Sequence, residues 1–149
     1  MNTLAKTFAA AALIAVSTCT MAAGKPVGDN SKKATVNLST SDLAIDHYVA
    51  VMTEGQSAGV EQLFTSDFSQ KVHASNDQTN SRSEVISFLK KQKGEHLNCK
   101  TSTSIVEHSG DYMLAKVTQQ FEGFTKTDFI TLVNDGGNWK VSQSINTYK

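Results

Sequence analysis

The chain has 149 residues, 39% of them hydrophobic and 19% charged, with 14 Lys and Arg balanced by 14 Asp and Glu. That is one domain of ordinary globular composition. The lack of a basic excess argues against nucleic acid as a partner, because a nucleic-acid platform needs a Lys/Arg stripe, and one Pro with nine Gly excludes collagen-like and low-complexity chains.

Residues 1–23 read as a secretory signal peptide. Lys6 supplies the positive start, residues 8–16 (FAAAALIAV) form the apolar core, and Ala22-Ala23 offer small residues for cleavage before Gly24. The expected location is therefore periplasmic or secreted. Val16-Ser17-Thr18-Cys19 leaves a second mode open, a lipoprotein anchored at Cys19. No apolar run reaches the roughly 20 residues of a transmembrane helix. Once the leader is removed, Cys99 is the one remaining cysteine, so stability must come from packing rather than an intrachain disulfide.

Residues 24–40 are rich in Gly, Lys, Ser, Asn and Asp and predict a flexible linker, with a single domain over 41–149. Thr40 or Ser41 can cap a helix over 42–53, with Leu43, Ile45, Val49 and Met52 facing inward beside Tyr48. Residues 55–59 break it, and Val60, Leu63 and Phe64 suggest a short second helix. An extended piece over 69–75 and a polar turn over 76–80 follow. Ser81 or Ser83 then caps a third helix, with Val85, Ile86, Phe88 and Leu89 inward. From residue 98 the period changes from helical to alternating. Strands are expected over 98–107, 112–122, 125–134 and 138–148, each separated from the next by a Gly-containing turn. Helices followed by an antiparallel meander make an α+β fold, with Trp139, Phe129, Leu114 and Val49 as core candidates.

Gly110-Asp111-Tyr112-Met113-Leu114-Ala115-Lys116-Val117, Thr127-Asp128-Phe129-Ile130-Thr131-Leu132-Val133 and Gly137-Asn138-Trp139-Lys140-Val141 carry a resemblance. They resemble the closing strands of the nuclear transport factor 2-like (SnoaL-like) superfamily, and within it the putative lumazine-binding group of small bacterial proteins. The resemblance implies a cone, of the cystatin-like kind, in which a curved antiparallel sheet wraps around the N-terminal helices and encloses a pocket. That superfamily hosts isomerases, dehydratases, hydrolases and catalytically silent binding or assembly domains, so fold alone does not choose a function.

Two apparent motifs lack the context their chemistry needs. Gly55-Gln56-Ser57-Ala58-Gly59 matches G-x-S-x-G but follows a helix rather than a strand and reads as a helix-breaking loop. His96 and Cys99 are two metal-ligand types without a second pair, so no metal and no cofactor is expected.

Tyr48, His73 and Asp128 form the candidate ligand-binding and catalytic set. Tyr48 lies near the buried stripe of the first helix, where its hydroxyl can donate into the cone, and His73 sits between Val72 and Ala74. Strict alternation puts the Asp128 carboxylate on the same face as Ile130 and Leu132; its place at the strand's start allows a solvated or turn-bonding role instead. The expected function is an exported binding domain for a small, partly apolar ligand. The alternatives are a cofactor-independent lyase or isomerase using His73 or Asp128 as base and Tyr48 as donor, and a homodimer formed through the open sheet face.

Overall fold

The computed structural model describes residues 35–149, so the expected signal peptide over 1–23 and most of the expected linker lie outside the described residues. Helix α1 (Ser41–Thr53) is capped by the Thr40 side chain, which accepts from the Leu43 N–H at 3.3 Å. The short α2 (Val60–Leu63) leads directly into β1 (Phe64–His73), β2 (Gln78–Ser81) and α3 (Arg82–Lys91). Ser81 and Glu84 form a reciprocal capping box at the start of α3. Strands β3 (Lys100–Ser109), β4 (Tyr112–Gln120), β5 (Thr125–Asp135) and β6 (Asn138–Tyr148) complete the chain.

The expected meander is present, but it is part of a larger sheet. Six strands run in the order β2-β1-β6-β5-β4-β3, with β1 parallel to β6 and every other pair antiparallel. The sheet is curved and unclosed, and α1 packs on its concave face through Ala44, Ile45, Tyr48 and Val51. Opposite them lie Met113, Ala115 and Val117 of β4, Ile130 and Leu132 of β5, and Trp139 and Val141 of β6. A β-bulge contributes to the curvature. Leu132 pairs with Val141 and Thr131 with Gln143, leaving Ser142 as an extra residue whose hydroxyl donates to the Thr131 carbonyl at 3.3 Å.

Two close approaches, each with a positive φ, require glycine in the loop after α1. Gly55 adopts φ +64° against the backbone of Gln92 and Glu95, and Gly59 adopts φ +69° against Val36. A Cβ at either position would collide with those neighbours.

The structure corrects several expected details. Packing begins inside the span expected to be linker: Leu38 is buried, Val36 packs on the core, and the Leu38 carbonyl accepts from the Trp139 N–H at 2.7 Å. Leu43 is 38% exposed, because the buried stripe of α1 runs through 44, 45, 48 and 51 rather than through 43. Phe88 is 59% exposed on the outer side of α3. Phe129 and Leu114 are only half-buried, since they alternate with Asp128, Ile130, Met113 and Ala115 and so occupy the convex face. The extended piece before α3 is longer than expected, pairing with β6 on one side and β2 on the other.

One buried group on α1 was not anticipated. His47 is enclosed beside Gln56, Ala58 and Gly59, with Nε2 lacking a hydrogen-bond partner among the described residues. Burial lowers its pKa below the usual 6.5, outweighing the raising effect of those neighbours. The unfolded chain therefore binds a proton at higher pH than the native one. His47 gives its full stability contribution above pH 6.5 and loses it as the pH falls through its lower folded value. Urea midpoints measured from pH 7.5 to 5.5 should fall for the wild type and fall less for His47→Gln; identical slopes would show that His47 takes no part.

Candidate functional site

The three strands facing α1 all change character at the same end of the sheet. In β4 the concave face runs Met113, Ala115, Val117 and then Gln119; in β5 it runs from Lys126 and Asp128 to Ile130 and Leu132; in β6 it runs from Trp139 and Val141 to Ser144 and Asn146. Register brings the polar members together. Gln119 pairs with Lys126, Asp128 with Asn146, and Ser144 with Gln70 of β1. All six are buried, Asp128 and Ser144 completely.

Tyr48 of α1 reaches across to this cluster. Its hydroxyl donates to Asp128 Oδ2 at 3.1 Å, and Lys126 Nζ donates to the same oxygen at 2.8 Å. Lys126 and Asp128 stand two residues apart on one strand, so the pleat aims both side chains the same way and makes the ion pair a local consequence of strand geometry. Burial, reinforced by the Asp128 charge, raises the Tyr48 pKa well above the usual 10 and keeps the phenol a proton donor. Tyr148, opposite Lys126, is raised by the same two causes.

The cluster is incompletely satisfied. Asp128 Oδ1, Asn146 Oδ1 and Gln119 Nε2 are buried without a hydrogen-bond partner among the described residues. Ser144 Oγ, beside the Tyr48 hydroxyl, is a fourth such atom. Buried polar groups without partners are rare, because each forfeits its bonds to water, so four at one end of one face mark a feature needing explanation. At the rim, Phe121 and Phe124 stack at 4.5 Å and Phe124 lies 6.3 Å from Tyr148.

Two of the three residues singled out from sequence are therefore brought together. Tyr48 and Asp128 are bonded, and Asp128 follows strict alternation rather than the solvated alternative. His73 is not with them. It pairs with Thr147, one position beyond the Val72–Asn146 pair, and so faces the convex side. There it is exposed, with Nδ1 3.1 Å from Asp77. Ser57 of the G-x-S-x-G match lies in the loop between α1 and α2. A surface hollow of about 560 Å³ lies elsewhere, lined by Val36, Leu38, Phe64, Arg82 and Lys140, and includes none of the three.

The sequence candidates do not include Lys126, Gln119, Ser144, Asn146 or Gln70. For Lys126 and Gln119 the signal was the polar end of each alternating strand, and it could have been read. Ser144 and Asn146 were hidden by the bulge, because unbroken alternation from Trp139 and Val141 would have turned Gln143 and Ile145 inward.

A family model described as "Putative lumazine-binding" matches residues 39–145. Among curated proteins, none matched the sequence. Solved structures resemble the fold. An NTF-2 like protein of unknown function from Silicibacter pomeroyi DSS-3 is 23% identical, with 72% of this chain and 90% of that chain covered at a TM-score of 0.60. An NTF2-like protein of unknown function from Methylobacillus flagellatus KT is 14% identical, covering 78% and 98% at 0.58. A structure described as a putative ketosteroid isomerase from Parabacteroides distasonis ATCC 8503 is 9% identical, covering 77% and 92% at 0.55.

Single substitutions should separate the ion pair from the phenol. Asp128→Asn leaves Lys126 buried without its counter-charge and should cost about 3–5 kcal/mol, whereas Tyr48→Phe removes one of two bonds to the carboxylate and should cost about 2 kcal/mol. Urea denaturation gives both values; equal costs would contradict this division of roles.

Proposed function

The chain belongs to the putative lumazine-binding family, and from that membership we propose that it is an exported, non-catalytic small-molecule-binding protein whose ligand is held at the polar end of the concave face. The observation that carries the reading is the group of buried atoms without partners: two acceptors, Asp128 Oδ1 and Asn146 Oδ1, and one donor, Gln119 Nε2, with the Ser144 hydroxyl able to act either way. A ligand presenting N–H groups to the two acceptors and a carbonyl to Gln119 satisfies this set. The ureide edge of a lumazine ring, two ring N–H groups flanking one carbonyl, has that chemistry. Phe121, Phe124 and Tyr148 offer apolar faces on which its flat ring can stack at the rim. Entry requires side chains at that rim to part, since Asp128 and Ser144 are closed to solvent in this conformation.

The non-catalytic part rests on which groups surround Asp128. Proton-transfer chemistry needs an acid and a base both acting on the substrate, whereas here the Tyr48 hydroxyl donates to Asp128 itself and His73, the second candidate base, faces the other side of the sheet. Gln119, Ser144 and Asn146 orient a ligand without exchanging protons with it. An isomerase reading is favoured by one observation, the bare Asp128 Oδ1 beside the Tyr48 donor, which is a competent base if a carbon acid is bound there. Export is supported by Lys6, the apolar run over 8–16 and Ala22-Ala23.

Titration calorimetry with lumazine, and native mass spectrometry of protein isolated from its own cells, test the reading together. Ser144→Ala and Asn146→Leu should weaken binding by about tenfold or more, the range for a lost buried hydrogen bond, without lowering the urea midpoint. His73→Ala should leave affinity unchanged. Unaltered affinity in both cluster variants would remove the site assignment, and turnover of the bound compound would replace binding with catalysis.

A further inference from the structure

The sheet has two edges of different kinds. β2 is four residues long, whereas β3 spans ten residues from Lys100 to Ser109, all exposed except half-buried Thr101. β3 contains no Pro, and its uninterrupted Thr, Ser, Ile and Val centre carries charge only toward its ends, at Lys100 and Glu107, with His108 beyond. Long edges with unpaired backbone groups are templates for another strand unless a protein blunts them. The one irregularity is a bulge at Val106, between the Ile105–Ala115 and Glu107–Leu114 pairs.

Pairing with β4 fixes which way each residue faces. Thr101, Thr103 and Ile105 stand opposite buried Gln119, Val117 and Ala115 and share the concave side. Lys100, Ser102, Ser104 and, past the bulge, Glu107 share the convex side. An antiparallel partner strand must match sides at every pair. A second β3 centred on Thr103 does so. Thr103 meets Thr103 of the second copy, Ser102 meets Ser104, and Thr101 meets Ile105. With Val106 bulged toward the second copy as it is toward β4, Lys100 meets Glu107. Both charges then find an opposite charge, twice by symmetry, and Ile105, 54% exposed, gains a neighbour. Centring on Ser102 or Ser104 keeps the sides matched but separates Lys100 from Glu107, and a one-residue shift mismatches the sides.

We propose that β3 is a self-association edge, at which two copies of the chain pair antiparallel about Thr103 and continue one sheet across a two-fold axis. The partner is a second copy because the strand's charges and side parity are complementary to themselves. An interface of one strand per copy is small, so the association is weak and concentration-dependent. It leaves the concave polar cluster untouched and stands independently of the ligand reading.

Sedimentation equilibrium on the purified protein, from about 1 µM to about 1 mM to bracket a small interface, reads the association. A reversible dimer is expected. Lys100→Glu and Glu107→Lys should each weaken it by about tenfold or more, by setting like charges opposite one another twice, and the combined swap should restore it. In a background with Cys19 and Cys99 replaced by Ser, Thr103→Cys should yield an oxidised dimer linked about the axis. A monomer throughout the range overturns the proposal. So does a dimer indifferent to both charge variants and dissociated by Phe129→Asp on the convex face.

Discussion

Complete burial of Asp128 is the constraint around which this sheet is arranged. A carboxylate withdrawn from water must be paired or bonded, and the chain supplies Lys126 from the same strand and Tyr48 from α1 to one oxygen. That bond fixes α1 in both position and rotation, because Tyr48 must reach β5 while Ala44, Ile45 and Val51 cover the apolar end. The bulge at Ser142 has a related consequence. By shifting the parity of β6 it turns Ser144 and Asn146 inward beside Asp128, where regular pairing would have placed Ile145. The polar cluster thus follows from three local features: a period-two Lys-x-Asp, a tyrosine on the buried stripe of a helix, and one extra strand residue.

The energetics of the cluster oppose a purely structural role. A buried ion pair seldom outperforms apolar residues of similar size, and here the pair is accompanied by atoms without partners, each of which counts against the folded state. A chain selected for stability alone would continue the Ile130, Leu132 and Val141 surface to the end of the sheet. Polar groups retained at such a cost are characteristic of sites that gain their missing bonds from a ligand.

Much of this was legible in the sequence, and the failures have physical causes. The four closing strands declared themselves through alternation and Gly-containing turns, and their ends agree with the structure to within about two residues, the usual uncertainty of strand ends. The capping box at Ser81 and Glu84 was visible in part through Ser81. Tyr48 and Asp128 were found because each polar group lay on an otherwise apolar face. Leu43 and Phe88 were misplaced because hydrophobicity on a short helix does not reveal which edge of a broad stripe meets the sheet, and tertiary packing decided it. His73 was misplaced because one residue of register on β1 separates the two faces, and that register depends on parallel pairing with β6, a contact between segments distant in the chain. Ser144 and Asn146 were hidden by a bulge that no turn residue announces.

Under the proposed function, the Lys126–Asp128 pair is kept for recognition rather than for stability. The variant that decides it is Tyr48→Phe/Lys126→Met/Asp128→Leu, which also removes the hydroxyl that Asp128 accepts from, examined by urea denaturation alongside lumazine titration. Replacing both charges removes the desolvation cost together with the attraction, and removing the hydroxyl leaves no donor stranded, so the expected urea midpoint equals or exceeds that of the wild type and binding is lost. A midpoint lowered as far as in Asp128→Asn alone, with binding retained, would contradict it.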